Sequence, residues 1–401
     1  MDVALGQQAR GPLAGIRVLD LSTVVSGPLF TQILGDLGAD VLKVESPGGD
    51  TTRRLGPPFR GGLSGFFTAF NRNKRSLVLD LKREEARAVA RRLAARSDVF
   101  VENFRPGVAA RLGLDYESLE PENPRIVYVS VNGFGDQGPY RDLPAYDTVI
   151  QGLSGFLPTQ GGDGPPRLVK GVIADKTTAL TAAWAALAAL FERERNGGRG
   201  QRVVVPMLDA YAAFALPDVT YPAAFVAEDG APRAPVPDVH RVWETADGHV
   251  VILVIEDHQF QGLCRALARE ELIDDPRCTS LLQRIVHAPE LFATLEEELR
   301  KWPTAEVVER GRRFGAPIAP VNDFEAFLRD PQVAVNRTIF EAEDPQAGPL
   351  RLLRSAPRFS RTPTDVRHTP PRLGEHGDAL LGEAGFGEDE IRALREKEVV
   401  G

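Results

Sequence analysis

The first part of the chain alternates between apolar runs of strand character and apolar positions at helical spacing. Residues 16–22 are rich in isoleucine, valine and leucine, which is typical of a strand. The Ser-Gly-Pro at 26–28 is an N-cap signal, and apolar residues at helical spacing then lead to Gly38, which ends the helix. Residues 41–45 form a second apolar run. This segment predicts a β-α-β unit and a parallel sheet covered by helices.

The same alternation continues further along the chain. After a loop rich in glycine, proline and arginine, we expect a strand at 77–80, a helix at 83–96 and a strand at 99–103. A further strand is expected at 125–131. Together with the first unit, these elements predict a large α/β domain built around one parallel sheet.

A glycine-rich loop follows the strand at 125–131. Its glycines Gly133, Gly135 and Gly138 match the G-x-G-x-x-G pattern of dinucleotide-binding proteins. That pattern requires a helix directly after the glycines, because the N-terminus of the helix binds the pyrophosphate. Pro139 follows at once here, so we interpret the match as accidental. A nicotinamide-dependent oxidoreductase has no other support in the sequence.

A long helix is predicted from Asp175 to about Asn196. Its stretch 179–191 carries no charge and leaves hardly any polar face, which predicts a buried helix too short to span a bilayer. Asp175 lies at the helix start, where free backbone N–H groups and the helix dipole favour a carboxylate. On spacing alone, Asp175 is either a simple N-cap or a functional carboxylate.

Changes in composition mark the domain boundaries. Prolines cluster between 217 and 240, which predicts a linker, and a hairpin pattern with Asp247-Gly248 at its turn follows. We therefore divide the chain into the first part of a large domain (1–216), the linker (217–240), a small α+β domain (241–325) and a C-terminal part (326–401).

Composition and charge argue against several classes of protein. The 401 residues are 43% hydrophobic and 26% charged, and the net charge of −8 comes without a basic block, so no nucleic-acid partner is expected. Cys264 and Cys278 are expected to be reduced thiols, and no Cys or His spacing predicts a metal site. The first residues lack the pattern of a signal peptide. We expect a soluble cytoplasmic protein without a membrane partner.

Short motifs in a fixed order give the chain a family resemblance. They are Leu-Asp-Leu-Ser (19–22), Ser-Gly-Pro (26–28), Leu-Gly-Ala-Asp-Val-Leu-Lys-Val-Glu (37–45), Asn-Arg-Asn-Lys-Arg-Ser (71–76), Val-Glu-Asn-Phe-Arg-Pro-Gly (101–107), Ala-Tyr-Asp (145–147), Asp175, Gly-Arg-Gly-Gln (198–201), Met-Leu-Asp-Ala (207–210), Asp-Pro-Gln (330–332) and Leu-Gly-Glu-His (373–376). In this order the chain resembles the class III CoA-transferases, the CaiB/BaiF group that includes formyl-CoA transferase. The resemblance extends from about residue 12 to the C-terminus.

The resemblance implies a particular architecture. The large domain of the family is a Rossmann-like sheet built from both ends of the chain, and the middle of the chain forms the smaller domain. Each subunit is an open ring, and two rings interlock as a homodimer. The boundaries predicted near 217 and 326 fit this scheme.

The resemblance also implies that Asp175 is the catalytic nucleophile. A carboxylate in this role attacks the thioester carbonyl of an acyl-CoA, giving an acyl-aspartyl anhydride and CoA thiolate. The thiolate then attacks the aspartyl carbonyl, so that CoA is held as an aspartyl thioester while an acceptor carboxylate enters. The implied substrates are an acyl-CoA and a carboxylic acid, with coenzyme A as the transferred group and no metal.

Further site residues follow from the resemblance alone. Tyr146 is a candidate for the acyl site. The positions implied as CoA contacts are Val24, Val25 and Ser26 at the first strand-to-helix turn, Lys74 and Arg75 as partners of the nucleotide phosphates, Asn103 and Phe104 at a strand end, and Arg111 in the next helix.

Three departures from formyl-CoA transferase bear on the substrate. Ser46 replaces an arginine, Pro144 replaces a lysine near the acyl site, and no glycine-rich loop occurs around 254–258. Formyl-CoA and oxalate are therefore poor expectations. The apolar residues Phe214, Phe225 and Val226 suggest a pocket for a larger or less polar acid.

Two alternatives remain open. A 2-methylacyl-CoA racemase of the same superfamily needs a His with an Asp as its acid/base pair, and Tyr146 stands where the racemases have that His. The unperturbed pKa of tyrosine is about 10, which makes Tyr146 a poor base near neutrality. The other alternative is a non-catalytic acyl-CoA-binding protein. His376 lies in a motif of the family for which the sequence gives no role.

Overall fold

The computed structural model describes most of the chain, and the residues described are 10–162, 164–221, 224–225 and 240–401. Most of the predicted linker, namely 222–223 and 226–239, lies outside them, as does Val226 of the suggested apolar pocket. The chain divides into two units. Unit 1 comprises Met1–Tyr221 and Arg337–Gly401, and unit 2 comprises Pro222–Asn336.

The strands of the described residues are β1 (Arg17–Asp20), β2 (Asp40–Glu45), β3 (Phe59–Arg60), β4 (Leu63–Ser64), β5 (Lys74–Val78), β6 (Val99–Glu102), β7 (Val127–Asn132), β8 (Arg202–Pro206), β9 (Val242–Glu244), β10 (His249–Ile252), β11 (Ile318–Pro320), β12 (Ile339–Asp344) and β13 (Gly348–Leu353).

The helices are α1 (Ser26–Asp36), α2 (Gly65–Phe70), α3 (Glu84–Ala94), α4 (Val108–Leu112), α5 (Tyr116–Leu119), α6 (Asp147–Leu153), α7 (Leu157–Gly161), α8 (Ile173–Arg195), α9 (Met207–Ala215), α10 (Pro217–Thr220), α11 (Asp257–Ala266), α12 (Leu281–Val286), α13 (Ala288–Leu299), α14 (Thr304–Phe314), α15 (Phe324–Arg329), α16 (Pro331–Asn336), α17 (Gly377–Glu383) and α18 (Glu388–Glu396). Short 3₁₀ turns occur at Thr51–Arg54 and Glu270–Leu272.

The centre of unit 1 is a six-stranded sheet in the order β5-β2-β1-β6-β7-β8, with every neighbouring pair parallel. The predicted α/β fold with a parallel sheet is thus confirmed. In order of appearance these strands run 3-2-1-4-5-6, the order of Rossmann-type sheets. The strand order reverses between β1 and β6, and in such sheets ligands bind at the carboxyl ends of the strands beside this point.

Alternate residues of the strands face two separate hydrophobic cores. Val18 and Val41 point to the core that contains α1, α8 and α9. Leu19 and Leu42 point to the opposite core, which contains α3. Residues near the C-terminus complete this second core, and they are Leu380, Leu381, Ala384, Val399 and Val400. The last part of the chain therefore covers one face of the sheet.

The Leu-Gly-Glu-His motif attaches this C-terminal segment to the edge strand β5. The backbone N–H of His376 donates to the carbonyl oxygen of Ser76 (3.0 Å), and the backbone N–H of Ser76 donates to Nδ1 of His376 (3.3 Å). The hydroxyl of Ser76 in turn accepts from the backbone N–H of Gly374 (3.0 Å). His376 thus satisfies the outward-facing backbone groups of an edge strand, which gives the motif a structural role.

Unit 2 contains a three-stranded antiparallel sheet in the order β11-β10-β9. The predicted hairpin is confirmed, since Glu244 of β9 pairs with His249 of β10 across a turn that contains Asp247-Gly248. Helices α11, α13 and α14 contribute to its core, in which Cys264 is fully buried, and Cys264 and Cys278 are free thiols as expected.

The long helix α8 is only partly buried, which corrects the prediction of a helix buried on all sides. Its alanines pack into the first core, but Leu180, Trp184 and Phe191 are 57%, 63% and 64% exposed. These three side chains follow one another at helical spacing, so one apolar stripe of α8 is open in the single chain. None of the helices in the described part of the chain is long and apolar enough to cross a membrane.

Candidate active site

Asp175 lies in the first turn of α8, as the sequence predicts, but it is not the N-cap. The helix begins at Ile173. Val172 occupies the N-cap position, but its side chain forms no capping hydrogen bond. Asp147 of α6 supplies the cap instead. Its Oδ2 accepts hydrogen bonds from the backbone N–H groups of Ala174 (2.7 Å) and Asp175 (3.1 Å). The N-cap interpretation of Asp175 is therefore wrong, and its carboxylate is left for another role.

Asp147 is itself held in place by Gln151, one turn further along α6. The side-chain amide of Gln151 donates to Oδ1 of Asp147 (2.6 Å), and its oxygen accepts from the backbone N–H of Val169 (3.0 Å). Asp147 and Gln151 are both buried. The start of α8 and the loop before it are thus fixed by one carboxylate and one amide.

The environment of Asp175 raises its pKa to about 6, first through burial and then through the negative charge of Asp147. Hydrogen bonding from the hydroxyl and the backbone N–H of Ser26 acts in the opposite direction. Because Ser26 is the first residue of α1, the Asp175 carboxylate faces the N-terminus of that helix. A carboxylate of this kind is more basic than an ordinary aspartate and remains mostly ionised at neutral pH.

The turn between β1 and α1 brings Ser26 to this site. Val24 has a φ of 71°, a left-handed conformation that is rare for a β-branched residue. Just before it, Thr23 is held by Asn103, whose side-chain oxygen accepts from the Thr23 N–H (2.9 Å) and whose amide donates to the Thr23 carbonyl (2.8 Å). Val25 is buried. Four of the predicted site residues, Val24, Val25, Ser26 and Asn103, are thus brought together at the carboxyl ends of β1 and β6.

Phe104 and Arg111 follow the same strand end. Phe104 is partly buried against the second core, and its backbone N–H donates to Glu102 (2.7 Å). Arg111 is exposed on α4 and forms no ion pair with any described residue. Both therefore lie on the edge where the fold places ligands.

Lys74 lies elsewhere, and its geometry argues against a phosphate contact. It is fully buried, and its ammonium group donates to Pro28 O (2.8 Å), Asn71 Oδ1 (2.9 Å) and Asp20 Oδ2 (3.1 Å). Burial lowers the pKa of Lys74 to about 8, although Asp20 opposes this shift. All three N–H groups have partners inside the protein, so none is left for a ligand.

Arg75 is likewise engaged in the fold. Its guanidinium forms ion pairs with Asp40 (2.6 Å) and Glu383 (2.7 Å). Asp40 is the first residue of β2, so these contacts lie at the amino end of the sheet. The predicted phosphate role of Arg75 is inconsistent with this placement, because the turn at Val24 lies at the opposite edge.

Two exposed cations at the carboxyl edge were missed by the sequence reasoning. Lys82 follows the end of β5, and Arg105 follows β6. Neither forms an ion pair within the described part of the chain. Their positions just after predicted strands were a usable signal, since parallel strands end at the same edge of a sheet.

Tyr146 is 65% exposed and directly precedes the buried Asp147. The glycine loop after β7 continues without a helix until α6, which confirms that its match to the dinucleotide pattern is accidental. Ser46 and Pro144 are exposed, and so are Phe214 in unit 1 and Phe225 in unit 2. No group of three or more His, Cys, Asp or Glu side chains suited to a metal ion occurs among the described residues.

Comparison with known proteins gives one consistent family. The model for CoA-transferase family III matches residues 13–377. The succinate–glutarate CoA-transferase of Agrobacterium fabrum is 38% identical over 389 residues, covering 93% of this chain and 95% of that protein. The formyl-CoA:oxalate CoA-transferase of Streptomyces avermitilis is 35% identical over 411 residues, with 97% and 99% covered.

A solved structure agrees with these sequence matches. A CaiB/BaiF family protein from Brucella suis superposes with a TM-score of 0.82 at 34% identity. The match covers 94% of this chain and 100% of that one.

Proposed function

Because the chain belongs to CoA-transferase family III, we propose that it moves CoA from an acyl-CoA to a carboxylic acid through covalent intermediates on Asp175. The observation that carries this proposal is the environment of Asp175. Its carboxylate is buried at the N-terminus of α1 beside a second carboxylate, and the hydrogen bonds that cap α8 are accepted by Asp147 instead.

The reaction begins when an oxygen of Asp175 attacks the thioester carbonyl. A C–O bond forms, the C–S bond breaks, and the products are an acyl-aspartyl anhydride and CoA thiolate. The thiolate then attacks the aspartyl carbonyl, which releases the donor acid as a carboxylate and leaves an aspartyl-CoA thioester. The acceptor carboxylate repeats these two steps in reverse order, and Asp175 is regenerated without net proton transfer.

The surroundings of Asp175 suit this chemistry. The raised pKa makes the carboxylate a better nucleophile, while a value of about 6 still leaves it ionised at pH 7. The N–H and hydroxyl of Ser26 are donors beside the reacting oxygens, and they suit the oxyanion that develops during each attack. Because Asp175 is shielded from water, both the shift of its pKa and the hydrogen bonds from Ser26 to the oxyanion are stronger than they would be in solvent.

We place CoA along the carboxyl edge of the sheet, beside the turn at Val24. Lys82, Arg105 and Arg111 are exposed cations at this edge and are suited to the phosphate groups. We do not propose Lys74 and Arg75 for this role, because the side chains of both are paired with carboxylates inside the protein.

For the acyl groups we propose carboxylic acids larger than oxalate. The relative from Agrobacterium fabrum is named for succinate and glutarate, and the human relative, 33% identical, is named for succinyl-CoA and glutarate. In this chain the exposed Pro144 replaces the lysine of the formyl-CoA enzyme. Succinyl-CoA with glutarate is therefore the first pair to assay.

We also propose that the protein is a homodimer, as the family resemblance implies. The exposed stripe of Leu180, Trp184 and Phe191 on α8 supports this, because a continuous apolar face on a single chain is typical of an interface.

The proposed route is tested by incubating the protein with succinyl-CoA and other acyl-CoAs, trapping with hydroxylamine, and locating the adduct by peptide mass spectrometry. We expect a hydroxamate on Asp175 that is absent from Asp175→Ala and retained in Asp389→Ala, a change at an exposed acidic residue of α18. Absence of any adduct, together with solvent deuterium at the α-carbon of the acyl group, would indicate a racemase. CoA binding without either signal would indicate a binding protein.

A further inference from the structure

We propose that Lys43 and Asp50 are positioning residues that hold the β1–α1 turn in the conformation needed at Asp175. The inference rests on the proposed function, since it assigns a role in that reaction to two buried charges that do not themselves touch the nucleophile.

Asp50 holds the strained residue of the turn. The backbone N–H of Val24 donates to the Asp50 carboxylate at 3.3 and 3.4 Å from its two oxygens. The same carboxylate accepts from the N–H (2.9 Å) and the hydroxyl (2.7 Å) of Thr52. The left-handed conformation of Val24 is unfavourable for a β-branched residue and persists only where surrounding contacts impose it. Asp50 provides such a contact.

Lys43 connects Asp50 to the residue before the turn. Its ammonium group lies 3.1 Å from Oδ2 of Asp50 and donates to the carbonyl oxygen of Ser22 (2.8 Å). Both side chains are fully shielded from solvent. Burial alone would raise the pKa of Asp50, but the charge of Lys43 and the hydrogen bonds from Thr52 outweigh it and lower the pKa. The pair is therefore ionised, and removal of either member takes away one of the opposite charges that stabilise the other inside the protein.

The turn is held from both sides of β1. Lys43 belongs to β2 and Asp50 follows it, while Asn103, which holds both backbone groups of Thr23, follows β6. Strands β2 and β6 are the two neighbours of β1 in the sheet. Three successive residues, 22 to 24, thus have backbone groups fixed by side chains from the adjacent strands.

The consequence reaches Asp175 through Ser26. Only Val25 separates the strained residue from Ser26, whose N–H and hydroxyl face the Asp175 carboxylate. If Val24 relaxes to an ordinary conformation, both donors are displaced. Asp175 then loses the two hydrogen bonds from Ser26 that lower its pKa, and the pKa rises further.

The test compares Asp50→Ala, Asp50→Asn and Lys43→Met with the wild type by the pH dependence of kcat/KM for CoA transfer. In Asp50→Ala we expect kcat to fall roughly 10- to 100-fold, because small displacements of catalytic groups have effects of this size. We expect the acid limb of the pH profile to shift upward by at least about one pH unit, because each of the two displaced hydrogen bonds to the Asp175 carboxylate contributes about that much. Lys43→Met should shift the limb in the same direction, and Asp50→Asn, which keeps an oxygen for Val24, should shift it less.

Asp36→Asn is the matched control. Asp36 is another buried carboxylate paired with an arginine, Arg72, but it lies at the far end of α1 from Ser26. The Asp36→Asn variant should have a lower melting temperature, and the acid limb of its kcat/KM profile should coincide with that of the wild type. The proposal is overturned if Asp50→Ala and Lys43→Met only lower the melting temperature, as the control does.

Failure of the positioning role and failure of the proposed function are distinguishable. If Asp175 is not the nucleophile, the wild-type protein itself yields no hydroxamate on Asp175. If the wild type yields it and the acid limbs of Asp50→Ala and Lys43→Met coincide with that of the wild type, only the positioning role is wrong.

Discussion

Oδ2 of Asp147 lies 3.1 Å from the backbone nitrogen of Asp175, so one carboxylate caps the helix that carries another. This contact separates two roles that a single aspartate at a helix start would otherwise combine. Asp147 accepts hydrogen bonds from the free N–H groups of α8, so the oxygens of Asp175 are not needed for capping and are available for the proposed reaction. The nearby negative charge also makes Asp175 more basic.

Asp147→Asn should therefore lower the pKa of Asp175 from about 6 towards its ordinary value of 3.8, because it removes a negative neighbour but keeps an oxygen that can cap α8. The acid limb of kcat/KM should move to lower pH, and kcat should fall because the nucleophile is less basic. The measurement is a pH–rate profile from pH 4 to 8. An unchanged limb would show that burial alone sets the basicity of Asp175.

Asp175→Asn should stabilise the fold while abolishing transfer. The pKa of Asp175 is raised in the folded state, so the unfolded state binds fewer protons between about pH 4 and 6 and stability is lost as pH rises through this window. The variant should be more stable than the wild type by roughly 1–3 kcal/mol at pH 7, with no difference below about pH 4. Urea unfolding at both pH values measures this, and equal stability at pH 7 would contradict it.

Lys82→Ala should weaken CoA binding without destabilising the protein, whereas Lys74→Met should destabilise the protein. Lys82 is exposed at the carboxyl edge, so its loss should weaken CoA binding by about tenfold with little effect on stability. Lys74→Met removes the ion-pair partner nearest to the buried Asp20, which keeps only the charge of Lys43 nearby among the described residues, and should destabilise the fold by roughly 3 kcal/mol. Calorimetric titration with CoA and thermal unfolding of both variants distinguish the two roles. Arg75→Ala, at the amino end, should bind CoA like the wild type.

His376 should make the folded protein less stable as the pH falls. Burial, with a smaller effect from the charge of Arg75, lowers the pKa of His376 below its ordinary 6.5, so the unfolded state takes up a proton first as pH falls below 6.5. Stability should decline with decreasing pH in this range. His376→Asn, which can still accept from Ser76, should show a shallower decline in urea unfolding between pH 5 and 7.5. Parallel curves for the two proteins would remove His376 as a cause.

Trp184→Glu should convert the proposed dimer to a monomer, because it puts a charge into the apolar stripe of α8. Light scattering after size-exclusion chromatography gives the mass directly. Arg392→Glu, at an exposed residue of α18, which packs against the opposite face of the sheet from α8, is the control and should remain dimeric. A monomeric wild type would exclude the proposal at once.

The parallel sheet was predictable because each strand is a short apolar run and the helices between them have their own spacing and end signals. Asp175 was predictable as a residue at a helix start. Asp147 was not recognised as its cap, since it lies 28 positions earlier in the sequence and caps a helix other than its own.

The basic pair Lys74 and Arg75 shows why sequence alone assigned the phosphate contacts incorrectly. Their partners Asp20, Asp40 and Glu383 are distant in sequence. The sheet brings Asp20 and Asp40 close to the pair, and helix α17 brings Glu383. A cation that looks free in a motif is neutralised inside the fold. Lys82 and Arg105 lack such partners among the described residues but stand out in no motif.

Residues 380–400 cover one face of the central sheet, so that face stays partly exposed to solvent until these residues have been synthesised. After β8 has left the ribosome all six strands are present, yet the side that bears Leu19, Leu42 and Phe100 still lacks Leu380, Leu381 and Val399. About half of the chain is then still to be made, including all of unit 2. For that interval the nascent protein carries an incompletely covered apolar face, the kind of surface that chaperones bind and that leads to aggregation. Completion of unit 1 therefore comes late, although its sheet is encoded first.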